Sequence, residues 1–252
     1  MAKVPFYAIL GRGRWASRMH GILARERRRT ISLEQTRRGP AESESDYKSR
    51  LRDALTATGT HIAWLCLAPG PHIRLIVEAA VSAGVHVVVE KPWLCSRTET
   101  DALLALSRAA GCLVAIHYEY CLLEGVEAWR RDFHQRADLS FRGRFLLRRP
   151  DHSGIPAIDN LGAHLLAIRA YAVPRSALAE IQCGYELPDE RRVSVEKSGE
   201  NVASIDFLAN KEPIVQRFIA RLEAALDGAD FPFDLGLAER VADEVASLKG
   251  KT

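Results

Sequence analysis

Residues 6–16 have the sequence FYAILGRGRWA, and this stretch decides the fold of the first half of the chain. An apolar run is followed at once by Gly11, Gly13 and Ala16 in the spacing G-x-G-x-x-A. Between a strand and a helix, the first glycine makes a tight turn, the second lets the backbone approach a pyrophosphate, and the small third residue allows close packing. The pattern therefore predicts a dinucleotide site at a helix N-terminus, whose N–H groups and dipole favour phosphate. The residues predicted to contact the dinucleotide here are Gly11, Gly13, Arg14, Trp15 and Ala16.

Further apolar runs follow the first at intervals along the chain. Residues 62–67, 85–89 and 113–116 are each apolar, and patterns with the period of a helix separate them. The polar segment 37–52 is predicted to be a loop that leads into a helix. Strands that are apolar throughout and alternate with helices are typical of a parallel sheet covered on both faces. The first half is therefore predicted to be an α/β domain with a Rossmann parallel sheet.

The pattern changes after about residue 121. A strand is predicted at 139–149 and a helix at 155–173, and three shorter strands and two closing helices follow. These strands are predicted at 178–187, 192–197 and 202–208, and the helices after Pro213 and Asp234. A hairpin turn is expected at Ser198–Asn201. We therefore predict a Rossmann domain at 1–121 and a smaller α+β domain, built on a mostly antiparallel sheet, at 122–252.

The composition limits the classes of function. The 252 residues carry a formal net charge of +3, which provides no overall field to attract a nucleic acid. The five cysteines form no C-x-x-C pair and the eight histidines are scattered, so neither disulfides nor a metal site are expected. No apolar stretch approaches the length of a membrane span, and no signal peptide is apparent. We therefore expect a cytoplasmic protein that acts on a small molecule, without nucleic acid or membrane.

The end of the second predicted strand bears on the choice of cofactor. Residues 30–33 form this strand, and an acid after it would bind the ribose of NAD. Glu34 is a candidate for that role, but Thr36, Arg37 and Arg38 lie where the 2′-phosphate of NADP would be met. Guanidinium groups bind phosphate through bidentate, charge-assisted hydrogen bonds. We therefore favour NADP(H) over NAD(H), with solvated loop arginines as the alternative.

The tripeptide Glu90-Lys91-Pro92 follows the third apolar run, within the longer string AGVHVVVEKP at 83–92. Together with LAPGPH at 67–72 and the glycine turn, it resembles the Gfo/Idh/MocA oxidoreductase family, which includes glucose–fructose oxidoreductase and inositol dehydrogenase. The resemblance covers residues 4–120 and continues more weakly at 160–164 and 233–248. It implies an NAD(P)-dependent oxidoreductase. Because the family's second sheet often forms a dimer face, it also implies a homo-oligomer, and the short second half of this chain would alter that face.

The resemblance implies roles for the residues around Lys91. Lys91 would lie beside the nicotinamide and the reacting carbon, hydrogen-bond the substrate oxygen and relay protons. Glu90 would orient Lys91 or the cofactor ribose, and Pro92 would fix the turn, with a cis peptide bond as one option. By itself, Glu-Lys-Pro is a common exit from a strand. The other cofactor contacts taken from the matching strings are Ala68, Pro69 and His72, although His72 also suits the start of the next helix.

His164 resembles the family histidine that acts as acid or base near the substrate hydroxyl. The family places an aspartate four residues earlier, where this chain has Asn160. Residues four apart share a face of an α-helix, so Asn160 and His164 are predicted to reach one pocket. Asp159 would lie about 140° around an α-helix from His164 and is no simple substitute. The usual carboxylate–histidine pair is therefore absent, and a structural, hydrogen-bonded role for His164 is the alternative.

Residues 117–120, HYEY, follow the strand predicted at 113–116. They are expected at the carboxyl edge of the sheet, where ligands of open α/β sheets bind. This tetrapeptide departs from the segment with asparagine and arginine that is common in the family, so the family's sugar specificity stays open. The predicted substrate contacts are Tyr118, Glu119, Tyr120, Asn160 and His164.

Three functions are compatible with the sequence. The one we favour is an NADP(H)-dependent oxidoreductase that transfers a hydride to or from a small polar, sugar-like alcohol or ketone, with Lys91, His164 and Asn160 as catalytic residues. The second is a reductase of C=N or conjugated C=C bonds within the same family, since reduction needs only a proton donor and the carboxylate is absent. The third is a non-catalytic sensor or scaffold that binds the cofactor.

Overall fold

The computed structural model describes residues 4–33, 36–151 and 154–250, which form two compact units. The first unit contains the described residues up to His117, with Glu223–Ala229 and Phe233–Gly236. The second unit contains Tyr118–Leu222, Asp230–Pro232 and the described residues from Leu237 onward. None of the helices in the described parts of the chain is both long and apolar enough to cross a membrane.

The first unit is built on a parallel sheet of five strands in the order β2-β1-β3-β4-β5. Its strands are β1 (Phe6–Leu10), β2 (Arg29–Leu33), β3 (Ile62–Leu65), β4 (His86–Val89) and β5 (Val114–Ile116). Its helices are α1 (Arg14–Arg25), α2 (Glu44–Thr58), α3 (His72–Ser82) and α4 (Arg97–Ala110). The central strands β1 and β3 are almost entirely buried, because each is apolar on both faces. The predicted Rossmann-type sheet is confirmed.

Local sequence signals determine where the helices of this unit end. Ser96 and Glu99 form a capping box at the start of α4, in which each side chain accepts a hydrogen bond from the backbone N–H of the other. Gly84 and Gly111 follow α3 and α4 with φ of 71° and 62°, the left-handed conformation that stops a helix. Each glycine lies just before the next apolar run of the sequence and marks the boundary between helix and strand.

The polar segment 37–52 is a loop only in its first half. Helix α2 begins at Glu44 because the side chain of Ser43 accepts the N–H of Asp46 at 3.1 Å. Residues 36–43 form the loop before it. The sequence signal is weak because charged residues outnumber the apolar ones on this helix. The side chains that α2 buries are Tyr47, Leu51 and Leu55.

The second unit contains a sheet of four strands in the order β7-β6-β8-β9. Its strands are β6 (Ser140–Leu147), β7 (Ala177–Tyr185), β8 (Glu190–Lys197) and β9 (Glu200–Asp206). Strand β6 pairs parallel with β7, whereas the pairs β6–β8 and β8–β9 are antiparallel. The sheet is therefore mixed and mostly antiparallel, in agreement with the prediction. Ser198 and Gly199, both with positive φ, form the predicted hairpin turn.

The remaining helices include two features that the sequence pattern did not predict. The helices are α5 (Glu124–Phe133), α6 (Ala163–Ala172), α7 (Ile214–Leu226) and α8 (Leu235–Lys249). Helix α5 was not predicted, although Val126, Trp129 and Phe133 recur at helical spacing; it is short, and only Val126 and Trp129 are buried. The helix expected at 155–173 includes a π-helical stretch, Ile158–Gly162, that runs into α6.

Candidate functional site

Gly11 leaves β1 in a conformation that only glycine adopts without strain. Its φ is +137°, and a Cβ built there would lie 2.3 Å from the carbonyl oxygen of Cys66. Cys66 is held in place because its N–H donates to the carbonyl of Leu10 at 2.8 Å. The junction between the ends of β1 and β3 therefore requires glycine at this position.

Gly13 has a different reason to be glycine. Its backbone is extended, with φ −77° and ψ 173°, which any residue adopts. A Cβ built at Gly13 meets no described atom within 4 Å, so the space beside the turn is open. Gly13 is the N-cap of α1 and has no side chain that could accept the first-turn N–H groups, so they can serve a ligand. This open, uncapped helix end fits the pyrophosphate of a dinucleotide.

A cavity of about 960 Å³ opens beside the glycine turn. Its walls come from the turn, the 36–43 loop, Arg50 of α2 and the segment after β3. The structure thereby brings six of the predicted cofactor contacts to one cavity: Gly11, Thr36, Arg37, Arg38, Ala68 and His72. A cavity of this size is in the range that holds small-molecule cofactors.

The two arginines of the loop differ in their surroundings. Arg38 donates its Nε–H to the carbonyl of Glu42 at 2.7 Å and lies 3.7 Å from the carboxylate of Glu44. The Arg37 side chain is exposed, and no acid among the described residues pairs with it. Arg37 is therefore the loop cation best placed to meet an added phosphate. Glu34, the candidate ribose ligand, lies outside the described residues.

Arg50 holds the loop from the side of α2. Its guanidinium donates to both carboxylate oxygens of Glu42, at 2.8 and 3.0 Å, and to the carbonyl of Arg37 at 3.0 Å. The hydrogen bond from Arg50 is the main cause that lowers the pKa of Glu42 to about 2, so this carboxylate is ionised at neutral pH. Tyr47 donates its hydroxyl to the carbonyl of the buried Thr36 at 2.5 Å. These hydrogen bonds restrict the conformation of the loop.

His72 is the first residue of α3, as its position in the sequence predicted. Burial lowers the pKa of His72, although a hydrogen bond with the backbone of Ala68 acts in the opposite direction. A neutral imidazole at this place contributes no charge to the cavity. Pro69 lies between the two and is partly exposed.

Glu90 follows β4 and lies among donors from three other elements. Its Oε1 accepts the indole N–H of Trp15 at 2.5 Å and that of Trp64 at 2.8 Å. His117 lies with Nδ1 at 3.1 Å from the same oxygen and 3.3 Å from Oε2. Burial is the largest influence and raises the pKa of Glu90, but His117 and the two indoles together outweigh it and lower the pKa.

The surroundings of Glu90 bear on two predicted roles. Trp15 and Glu90 were both predicted to contact the cofactor, whereas in the structure the indole N–H of Trp15 donates a hydrogen bond to the carboxylate of Glu90. Lys91 comes next in the chain, is partly buried, and precedes Pro92 through a cis peptide bond, the option that the resemblance implied. With Glu90 held by the indoles and Pro92 fixed by its ring, the backbone of Lys91 is held on both sides.

His164 lies in the second unit within a group of aromatic rings. Its ring stacks on Phe145, with centroids 5.5 Å apart and an interplanar angle of 16°, and meets the edge of Tyr120 at 4.8 Å. Tyr120 in turn stacks on Phe207 at 5.0 Å. His164 is 5% exposed, so these rings determine how its imidazole is oriented.

The π-helical stretch changes the geometry expected around Asn160. Because π-helical hydrogen bonds join residues five apart, the α-helical separation of 140° between Asp159 and His164 does not apply, and that premise was wrong. The carboxylate of Asp159 nevertheless pairs with Lys249 at 2.6 Å. Asn160 donates its amide N–H to the hydroxyl of Tyr185 at 2.6 Å. Both side chains before His164 therefore have structural partners within the second unit.

The three predicted substrate contacts after β5 have different environments. Tyr118 is 1% exposed, and burial raises the pKa of its hydroxyl strongly. Glu119 and Tyr120 begin a short 3₁₀ helix, Glu119–Leu122, and both are partly exposed. Tyr118 therefore serves the core of the second unit, while Glu119 and Tyr120 are more accessible.

The glycine turn, the open helix end and the parallel sheet agree with a comparison of the sequence with known families. Residues 7–118 match the model of an oxidoreductase family with an NAD-binding Rossmann fold, Gfo/Idh/MocA. Residues 7–118 belong to the Gfo/Idh/MocA family. The resemblance indicated by the sequence is thereby confirmed, and the chain is an NAD(P)-dependent oxidoreductase. No curated protein sequence matches the chain significantly.

Solved structures share this fold over both units of the chain. UDP-N-acetylglucosamine 3-dehydrogenase GnnA from Acidithiobacillus ferrooxidans aligns with a TM-score of 0.77 and 16% identity, over 96% of each chain. The WlbA (WbpB) dehydrogenase from Thermus thermophilus, in complex with NAD and UDP-GlcNAcA, aligns with a TM-score of 0.73 and 15% identity, over 97% of this chain and 94% of its own. GenD2 from gentamicin A biosynthesis, in complex with NAD, aligns with a TM-score of 0.73 and 17% identity, over 98% and 93%. At these identities the likeness shows the fold.

Sequence reasoning missed several residues that organise the site. Arg50 and Glu42, which hold the loop, belong to the segment 37–52, which was predicted as a polar loop leading into a helix without a role for either residue. Trp64 was assigned only to an apolar strand, although a buried indole N–H needs an acceptor and so signals one nearby. His117 was noted in its tetrapeptide without a role.

Proposed function

We propose that this protein transfers a hydride between a nicotinamide dinucleotide and an alcohol or ketone carbon of a sugar-like substrate. The observation that carries the proposal is the glycine turn, where Gly11 and Arg12 line a cavity of about 960 Å³ and Gly13, which has no side chain, is the N-cap of α1. Backbone N–H groups at such a helix end bind phosphate. The residues proposed to hold the dinucleotide are those of the glycine turn, the 36–43 loop, Ala68 and His72.

The substrate class rests on the structural neighbours. GnnA is a UDP-N-acetylglucosamine 3-dehydrogenase, and WlbA was solved with UDP-GlcNAcA. Both neighbours are thus associated with a UDP-linked sugar derivative. These neighbours share the fold of this chain at 15–16% identity, and by analogy we propose a sugar derivative as its substrate.

Lys91 is proposed to handle the proton in this reaction. When bound, the nicotinamide accepts or supplies the hydride. Lys91 would hydrogen-bond the oxygen of the reacting carbon and hold or release the proton at that oxygen. His164 is the second proposed proton-transfer group, on the resemblance to the family histidine. Asn160, bonded to Tyr185, is proposed to orient substrate and not to act as a base, since an amide does not titrate.

NADP(H) is proposed as the preferred cofactor on the strength of Arg37. Its exposed guanidinium lines the cavity, whereas Arg38 is occupied by the carbonyl of Glu42 and the carboxylate of Glu44. A charge-assisted hydrogen bond to a phosphate contributes about 1.5–3 kcal/mol, which is a factor of roughly 10 to 100 in affinity.

A binding experiment tests the dinucleotide and its preferred form. Thermal shift and calorimetry with NAD⁺, NADH, NADP⁺ and NADPH should rank the NADP pair first, because a ligand of the folded state raises its stability with affinity. Arg37→Ala should weaken NADP binding at least about tenfold and leave NAD binding unchanged. Arg52→Ala, an exposed arginine of α2, is the matched control. Tighter binding of NAD than of NADP would contradict the preference, and binding of neither would contradict the function.

A turnover experiment tests the chemistry with the cofactor that binds best. A panel of sugar derivatives, including UDP-N-acetylhexosamines and their uronic acids, is screened for absorbance change of the nicotinamide, with imines and conjugated carbonyl compounds as a second panel. Lys91→Met should lower kcat by at least about a hundredfold, in line with the loss of a general acid–base group. Lys211→Met, at an exposed lysine, is the control. Turnover that Lys91→Met leaves intact would contradict the assigned role, and imines as the faster substrates would favour the reductase.

A further inference from the structure

The side chains of Trp15, Trp64, Glu90 and His117 form a compact group in the first unit, which we call the indole–carboxylate cluster. Three donors meet on Oε1 of Glu90, at 2.5, 2.8 and 3.1 Å. The His117 ring also meets Trp64 edge-on at 5.0 Å and lies 5.9 Å from Trp15. Trp64 is fully buried, and the Glu90 side chain is 14% exposed. A carboxylate that accepts this many hydrogen bonds and has so little solvent exposure is strongly constrained in position.

The negative charge of Glu90 is retained despite its burial. The charge and the hydrogen bond of His117, followed by the two indoles, keep the pKa of Glu90 below its usual value even though burial acts against them. The charge of Glu90 also acts on Cys66, which directly follows β3. Burial first, and the Glu90 carboxylate second, raise the pKa of the Cys66 thiol, which therefore stays neutral. Other charged groups near the cluster include Arg18, 5.0 Å from the Trp15 ring centroid, and Lys91, the next residue in the chain.

The cluster lies where the strands end. Trp64 belongs to β3, and Glu90 and His117 follow β4 and β5, so all three are at the carboxyl edge of the parallel sheet. Trp15 comes from the first turn of α1, beside the glycine turn. Ligands of open α/β sheets bind in the crevice outside this edge. The oxidised nicotinamide ring carries a positive charge that the reduced ring lacks, so a fixed anion at this edge distinguishes the two forms.

We propose that Glu90 determines which redox form of the cofactor the protein prefers, by placing a buried negative charge that favours the cationic, oxidised nicotinamide. This inference rests on the proposed dinucleotide binding and replaces a direct role for Glu90 at the ribose, since Oε1 is occupied by the indoles. Trp15 and Trp64 hold the carboxylate in place and are positioning residues. His117 offsets part of the charge.

Glu90→Gln tests the proposal with little change in shape. The amide oxygen still accepts both indole N–H groups, and the amide nitrogen can donate to the His117 ring, whose tautomer adjusts. The measured quantity is the ratio of dissociation constants for the reduced and oxidised cofactor, obtained by calorimetry. The variant should shift this ratio about tenfold toward the reduced form, as expected for removal of one charge from a partly desolvated site. Glu90→Asp, which keeps the charge, should retain the wild-type ratio.

Glu223→Gln is the matched control. This carboxylate of the same unit accepts the Tyr7 hydroxyl at 2.7 Å and two bonds from Arg28 at 2.8 and 2.7 Å, but it lines a different cavity, together with residues before β3 and β4. Its neutralisation should lower the melting temperature and leave the ratio unchanged. An equal loss of affinity for both forms in Glu90→Gln would mean that Glu90 is only structural, and would overturn the proposal.

A second variant keeps the proposal testable if Glu90→Gln does not fold. His117→Gln removes the imidazole whose charge and hydrogen bond lower the pKa of Glu90, so it should shift the ratio toward the oxidised form. A shift in the opposite direction, or none, would overturn the proposal. If wild-type protein binds neither redox form, the proposed function fails as well. Normal binding with an unaltered ratio in the variants overturns only the role of Glu90.

Discussion

Alanine at the two glycines of the turn should have opposite consequences. Gly11→Ala places a Cβ 2.3 Å from a backbone oxygen of Cys66, at a residue with φ +137°. Gly13→Ala places a Cβ in open space on an extended backbone. We therefore expect Gly11→Ala to destabilise the fold, and Gly13→Ala to spare the fold and block the cofactor.

The size of the first effect comes from two contributions. The disfavoured φ costs about 1–3 kcal/mol, and moving Cys66 away weakens its hydrogen bond to Leu10, a further 0.5–1.5 kcal/mol or so. A total of roughly 2–4 kcal/mol corresponds to a fall of about 5–15 °C in melting temperature for a chain of this length. Gly111→Ala, where φ is +62° and no described atom lies within 4 Å of the added Cβ, isolates the backbone contribution at about 1 kcal/mol.

Gly13→Ala should change the stability by no more than about 1 kcal/mol in either direction. Its Cβ occupies the space through which a pyrophosphate approaches the N–H groups of α1, so the dissociation constant should rise at least about tenfold, or about 1.4 kcal/mol. Melting curves without ligand and calorimetric titrations with the preferred cofactor measure both quantities. Wild-type affinity in Gly13→Ala would refute the assignment of the turn to pyrophosphate, and an unchanged melting temperature in Gly11→Ala would refute the argument from strain.

Three further predictions concern stability. Burial, and then the nearby His61, lower the pKa of His86 in the folded protein. The unfolded chain therefore binds a proton more readily than the folded chain does. As a result, the free energy of unfolding falls as the pH drops below about 6.5. His86→Asn, which keeps an acceptor for the Leu113 N–H, should reduce this slope in urea titrations between pH 7.5 and 5; an unchanged slope would contradict the assignment. Ser96→Ala removes the capping box of α4 and should lower the free energy of unfolding in urea by about 1 kcal/mol. An unchanged free energy of unfolding would contradict a stabilising role for this cap. Gly21→Ala, inside α1 with only an ordinary 3.7 Å contact for the new Cβ, should raise stability by about 0.5–1 kcal/mol, and a lower melting temperature would show that the helix packs more tightly here than described.

The fold of the first unit could be predicted because its signals are local. Apolar runs, helical periodicity and the glycines at 84 and 111 each act within a few residues of where they stand. The same approach failed for α5, which buries only Val126 and Trp129, and for the start of α2, whose cap is clear but whose exposed face is highly charged. It also assumed α-helical geometry at Asp159, where the chain forms a π-helix.

The candidate site was predicted in part, and the missing part concerns side-chain partners. The residues that line the cavity were named from motifs and from the family resemblance. The hydrogen-bond and ion-pair partners of these residues were not predicted, because Arg37 and Arg38 look alike in the sequence and differ only in the groups that surround them.

The sequence by itself determined where backbone geometry and helix ends create a dinucleotide site. Gly11, Gly13 and the apolar strand before them are sufficient, since the turn and the open helix N-terminus arise from consecutive residues. Only the tertiary structure decided what Glu90 does. Its three donors come from residues 15, 64 and 117, which the chain brings together by pairing β3, β4 and β5 and by packing α1 against them. Hydrogen bonds act over about 3 Å in space, and no spacing along the chain encodes that distance.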